Sequence, residues 1–222
     1  MALPIYVAFS YFQGVETITT TQTEDSVFTS LTVYSCTFAN CTRQLIYSMN
    51  VWLNLSNCCL LKSTSKNDKD NFAPAIQIKG NKQEPEEIGN ISCSAFSEIN
   101  ADSHKIIYIY NSKVGSNADQ NGNIHKIFQS LNFSDCISSI QATGGIIEMN
   151  YCLFHSFQQL YSASSVIKFE HFKQCSMNYL DFINTTVANN KKNKLISTST
   201  TTGLLATNIY KDELSSEIGI HL

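Results

Sequence analysis

The chain has 222 residues, 43% of them hydrophobic and 15% charged, with a formal net charge of −3. That length and apolar content allow a buried core without staples, and they exclude a disordered tail or a salt-bridged helical bundle. A single arginine, Arg43, argues against a nucleic-acid surface, where guanidinium forks to phosphates are expected.

The strand formers Ile, Val, Phe, Tyr, Thr and Trp number 73 against 12 alanines, a balance that favours strands over helices. At the N-terminus, Pro4 and Ser10 interrupt the apolar run and no basic region precedes it, so a secretory signal is not expected. No run approaches the ~18 apolar residues of a membrane span. Lys211-Asp212-Glu213-Leu214 spells a retrieval signal, but it is internal here and carries no address. The compartment stays open.

Val7, Phe9 and Tyr11 are expected to begin a first coil of chain. Further on, a repeat emerges when six cysteines are aligned: Cys36, Cys58, Cys93, Cys136, Cys152 and Cys175. Five and three residues before each cysteine, ten of the twelve positions are apolar, as in Leu31/Val33, Leu53/Leu55, Leu131/Phe133 and Ile147/Met149. The position between them is polar, as in Thr32, Asn54, Asn132, Glu148 and His171. Period two means a strand with one buried face. An inward cysteine then requires a bend one or two residues earlier, where Ser35, Asn57, Asp135 and Asn150 suit turn dihedrals. Each unit reads as strand, corner, strand. A spacing near 20 residues with only strand signals fits one coil of a parallel β-helix. Within such a stack the cysteines serve as small apolar fillers. Five of them, Cys36, Cys58, Cys93, Cys152 and Cys175, are expected to point inward and stay reduced, because neighbours in a stacked ladder point the same way.

Between the second and third anchors, residues 62–72 and 79–87 are densely charged and lengthen the interval. They are expected to bulge as loops at two corners of one coil, with Ala73, Ile76 and Ile78 marking a strand between them; loops on a rigid scaffold commonly carry binding. Residues 107–112 read as a further unit, with Ser112 in the cysteine slot. There Tyr108 and Tyr110 alternate with Ile107 and Ile109, which places an exposed tyrosine pair on a sheet as a contact for sugar or protein. Leu195 to Tyr210 are expected to close the last coil. The fold expected is all-β, a single right-handed parallel β-helix of about seven to nine coils over residues 1–222, clearest over 27–187.

Catalytic constellations are not legible. Glycoside hydrolysis wants two carboxylates ~5–10 Å apart on a rigid face, yet the outward column before the cysteines offers only Glu148, with Asn132 and His171 for company. A Glu148–His171 surface pair across one rung is conceivable but lacks a third orienting group. Asp68-Lys69-Asp70 lacks the glycine of a calcium loop. The histidines are too scattered for structural zinc, and no phosphate-cradling glycine run is present. No catalytic, cofactor-binding or metal-binding residue is therefore assigned.

The short coils, the Cys-x-Phe elements at Cys36-Thr37-Phe38 and Cys152-Leu153-Phe154, and the Asn-rich corners resemble right-handed parallel β-helix proteins of the pectate-lyase-like superfamily. Gly144-Gly145-Ile146-Ile147 resembles the Gly-Gly-aliphatic tetrad of chlamydial-type polymorphic membrane protein repeats, which also occur in protist surface proteins. The second tetrad of those repeats, Phe-x-x-Asn, is absent: Phe38-Ala39-Asn40 and Phe182-Ile183-Asn184 are each one residue short. The resemblance implies a non-enzymatic, adhesin-like surface protein with a host-cell, matrix or glycan ligand, at the cell surface or outside the cell. A polysaccharide lyase or glycoside hydrolase of the same superfamily is the competing expectation.

Overall fold

Alternating inward and outward residues need a parity change wherever a strand turns a corner, and a single left-handed residue supplies it. In every coil such a residue follows the first strand: Phe9, Ser35, Asn57, Cys93, Ser130, Tyr151, Tyr179 and Asn208, all with φ between 48° and 56°. Asn and Ser tolerate this conformation through local hydrogen bonds. The corner keeps the ladder intact, because its N–H still reaches the next coil, as Ser35 N–H does to the Ser56 carbonyl (3.1 Å) and Ser130 N–H to that of Asn150 (3.0 Å). A second row of left-handed corners comprises Asn40, Lys62, Glu98, Asp135, Ser156 and Asn184.

The computed structural model describes residues 4–14, 18–21, 30–42, 44–49, 51–64, 75–80, 89–101, 105–111, 125–160, 165–188, 193–199 and 203–220. Three faces run the length of the molecule. The first comprises β1 (Ile5–Ala8), β4 (Ser30–Tyr34), β7 (Trp52–Ser56), β10 (Gly89–Ser92) and β13 (His125–Gln129). It continues through parts of the long strands β15 (Ile140–His155), β17 (Ile167–Ile183) and β20 (Leu204–Lys211). The second face comprises β2 (Tyr11–Gln13), β5 (Thr37–Ala39), β8 (Cys59–Leu61), β11 (Ala95–Ser97) and β14 (Asn132–Ser134), then later parts of the same long strands. The third comprises β3 (Ile18–Thr21), β6 (Ile46–Met49), β9 (Ile76–Gly80), β12 (Ile107–Asn111), the starts of β15 and β17, and β19 (Ile196–Thr198). Two-residue strands β16 (Gln158–Gln159) and β18 (Thr186–Val187) pair beside them.

Every described pairing is parallel, and strands of one coil pair with the equivalent strands of the next. The result is a parallel β-helix of eight rungs on its first face. Among the described residues there is no helix, and hence none long and apolar enough to cross a membrane.

Inward side chains pile into columns. On the second face Phe12 stacks on Phe38, and Phe96, Phe133, Phe154 and Phe182 form a continuous ladder with ring centroids 4.7–5.0 Å apart, the rung spacing of a parallel sheet. Leu60 occupies the same column between Phe38 and Phe96. Both phenylalanines of the Cys-x-Phe elements therefore belong to this ladder.

The cysteine register needs correction. Cys36, Cys58 and Cys152 sit just inside the first corner, directly after its left-handed residue, and are buried. Cys136 is also buried but lies inside the second corner, and Cys175 lies in a first-face strand opposite Ile147. Cys93 is not inward. It is itself the left-handed residue of its corner and is exposed, while Ser94 takes the inner slot.

That exchange shows what the slot requires. The Cys58 N–H donates to Ser94 Oγ (3.1 Å), and the Cys36 N–H points at Cys58 Sγ (3.4 Å). Ser63 and Ser215 accept from Cys41 and Thr185 N–H groups in the same way at the second corner. A buried backbone donor needs a partner, so the inner slot favours a small side chain that can accept, beyond the apolar filler expected.

One other expectation changes. Residues 107–111 are the third-face strand of the coil that begins at Gly89, not a coil of their own, and Ser112 lies outside the described residues. The first coil begins with Val7 in β1, Phe9 at its corner and Tyr11 in β2; Phe9 and Tyr11 face solvent, while Val7 and Phe12 pack against the core.

All eight thiols are free, and burial pushes those of Cys136, Cys152 and Cys175 up to about 12 and that of Cys58 to about 11. A thiol-reactive dye added to the native protein is expected to label only Cys59 and Cys93, the two exposed cysteines, with the other six reacting after denaturation. Rapid native labelling of three or more would contradict this core.

Candidate functional site

The tyrosine pair on β12 stands where alternation places it. Ile107 and Ile109 are fully buried, while Tyr108 and Tyr110 project from the third face and are half-buried by their neighbours. Their rings stack with centroids 5.7 Å apart, and the Lys105 ammonium lies 4.6 Å above the Tyr108 ring. In the sheet register Tyr108 is flanked by Gln77 and Gln141, and Tyr110 by Lys79.

Polar side chains extend this surface along the coils. Gln44 Nε2 donates to Gln77 Oε1 (3.0 Å), Gln141 Nε2 donates to Glu170 Oε2 (2.6 Å), and Lys168 Nζ lies 2.7 Å from Glu170 Oε1. Burial lowers the Lys105 pKa, aided by repulsion from Lys168 and opposed by Glu170. Burial raises the Tyr108 phenol, with Tyr110 and Glu170 adding to the effect. The face thus offers two aromatic rings, a cation held over one of them and a row of amides. Such a surface holds a ligand by stacking and hydrogen bonds.

Glu148 and His171 do not meet as a surface pair. Glu148 projects from the first face between Ile127 and Ser176, with its carboxylate 3.7 Å from His125 Nδ1. His171 is exposed at the turn from the third face to the first, where φ is 53° and its N–H donates to Ser199 Oγ (2.8 Å). Asn132 lies on the second face. Among the described residues no three His, Cys, Asp or Glu side chains are placed to share a metal ion.

Most of the charged segments at 62–72 and 79–87, with Ala73 and Asp68-Lys69-Asp70, lies outside the described residues. Their described ends are structural. Lys62 is a left-handed corner, Ser63 is buried, Thr64 bridges to Asn100, and Lys79 and Gly80 belong to β9.

One surface escaped sequence reasoning. Along the first corner, where five coils carry Ser, Asn or Cys, Tyr151 and Tyr179 occupy consecutive left-handed positions with φ of 56° and 54°. Their rings stack at 4.9 Å and 8°, yet the residues remain 56% and 48% exposed. A bulky side chain at such a φ costs on the order of 1–3 kcal/mol. No motif announces the pair, because the two tyrosines are 28 residues apart and meet only through the coil register.

Protein-family models, curated proteins and solved structures return no match to this chain. The class of the molecule is defined by its fold, a parallel β-helix solenoid.

Proposed function

We propose that this chain is a non-enzymatic, adhesin-like interaction protein that docks a host-cell, matrix or glycan partner on its third face. The Tyr108–Tyr110 stack with Lys105 above it carries the reading: rigid aromatics on a sheet present contact area at small entropic loss. The Gly-Gly-aliphatic tetrad and Cys-x-Phe elements support a relationship to pectate-lyase-like β-helices and to polymorphic membrane protein repeats. Within that relationship the surface role has more support than the enzymatic one, since Glu148 stands beside His125 and Glu170 is paired with Lys168 and Gln141, with no second carboxylate beside either among the described residues.

The test is an array of immobilised matrix glycoproteins and glycans probed with the intact chain. Tyr108→Ser with Tyr110→Ser is expected to weaken binding by about tenfold or more, as aromatic anchors do at interfaces, while the melting temperature holds within a few degrees. Unchanged binding by this variant refutes docking at the third face. Turnover of a uronic-acid or neutral glycan that is abolished by Glu148→Gln would establish the enzymatic alternative instead.

A further inference from the structure

The stacked tyrosines of the first corner lie at the vertex between the first and second faces, away from the third-face site. The left-handed conformation does not by itself call for tyrosine there. The left-handed corner is served by Ser35, Asn57, Ser130 and Asn208 in other coils, and Asn is the side chain best suited to it. Tyr151 and Tyr179 nevertheless hold aromatic rings there, half in water. Strain retained at an exposed site points from the outlier toward a use.

The surroundings specify the chemistry. Each ring covers one face of the other, and the second face of Tyr151 is turned toward the coil whose corner residue is the small Ser130. That leaves the outer face of the Tyr151 ring beside a small corner residue. On the Ser130 coil stand Gln129 on the first-face side and Asn132 on the second-face side, both exposed, and Gln129 is in register with Asn150 on the Tyr151 coil. On the far side of the stack, Asn178 Oδ1 accepts from Thr207 Oγ1 and Asn208 Nδ2, each at 2.8 Å. No lysine or arginine occurs within two positions of the corner residue on any of these four coils.

We propose that Tyr151 and Tyr179 form a binding site for a neutral saccharide. An apolar pyranose face stacks on Tyr151, and its hydroxyls bond the neighbouring amides Gln129, Asn132 and Asn150. The lack of a nearby cation disfavours a uronate or sulfated sugar, and the neutral amides suit a ligand that both donates and accepts. This site is separate from the third-face reading and stands or falls independently of it.

The experiment titrates the intact chain with cellohexaose, xylohexaose and mannohexaose, with hexagalacturonate and a tyrosine-containing peptide as comparators. Calorimetry or ligand-observed NMR reads the binding. At least one neutral oligosaccharide is expected to bind with Kd below about 5 mM. Tyr151→Asn with Tyr179→Asn is expected to weaken that binding about tenfold or more while the melting temperature stays level or rises, because asparagine suits the corner. Tyr108→Ser with Tyr110→Ser should leave it unchanged; loss in that variant alone would move the saccharide to the third face and overturn this assignment. Absence of binding by all three neutral sugars, a preference for hexagalacturonate or for the peptide, or retained binding by the asparagine variant would each overturn it. So would a melting temperature lowered by more than a few degrees, which would make the stack a structural one.

Discussion

Lys126→Met is expected to stabilise this protein, by on the order of 3–5 kcal/mol at neutral pH. Lys126 points inward from β13, opposite Gly89 on one side and Ile147 on the other, and it is fully buried. Its ammonium nitrogen donates to the Gly144 carbonyl, at the glycine pair where the β15–β17 register shifts. Burial alone pulls its pKa from 10.5 down to about 7. The folded chain thus holds a lysine that gives up its proton far more readily than the unfolded chain does. Methionine keeps the length and flexibility of the side chain without the charge.

The sign with pH follows from that shift. Between pH 7 and 10.5 the unfolded state binds the extra proton, so this lysine makes stability rise with pH, at up to about 1.4 kcal/mol per unit. Below pH 7 both states are protonated and the slope from this group vanishes. The buried thiols act in the opposite sense: their folded pKa values lie above the ordinary 9.0, so stability falls as pH rises past 9 toward 12. The wild-type curve should peak near pH 9. Urea titrations of both proteins from pH 6.5 to 11 check this, since the difference between the two curves removes the thiols and leaves the lysine. A difference that is flat across pH 7–10 would mean that the ammonium reaches water.

Phe133→Ala is expected to be strongly destabilising, costing about 3–5 kcal/mol. Phe133 lies inside the aromatic ladder, with Phe96 at 4.7 Å, Phe154 at 5.0 Å and the edge of Phe157 at 6.0 Å. Truncation leaves a cavity between two rungs whose backbones are hydrogen-bonded and cannot close on it. Phe133→Leu should cost less than about 1.5 kcal/mol, because Leu60 already fills this column between two phenylalanines. Denaturant midpoints of the two variants, at unchanged m-value, report the contrast. Equal effects of alanine and leucine would show that the ladder contributes bulk apolar burial and no specific stacking.

Much of the architecture is legible in the residues themselves. Leu31-Thr32-Val33, Leu53-Asn54-Leu55 and Ile147-Glu148-Met149 read as half-buried strands, and the structure places all three in equivalent positions of the first face. The corner one residue before Cys36, Cys58, Cys136 and Cys152 is equally local, since parity has to change there. The tyrosine pair on β12 follows from the same alternation.

Other assignments depend on what lies above and below each strand. Pairing with β10 and β15 turns Lys126 and Phe128 inward, although a lysine would not be placed in a core from the strand pattern alone. Cys93 and Cys175 share the spacing of the other anchors but not their place, because the segments between coils differ in length and the count of residues drifts against the true column. Side-chain alternation is a property of one strand, and so the sequence by itself determines an all-β chain of short, cornered units. Whether a given residue points in or out reverses with every left-handed corner, and only backbone hydrogen bonds between coils set that phase. The tertiary structure therefore decided the burial of Lys126, the exposure of Cys93 and the meeting of Tyr151 with Tyr179.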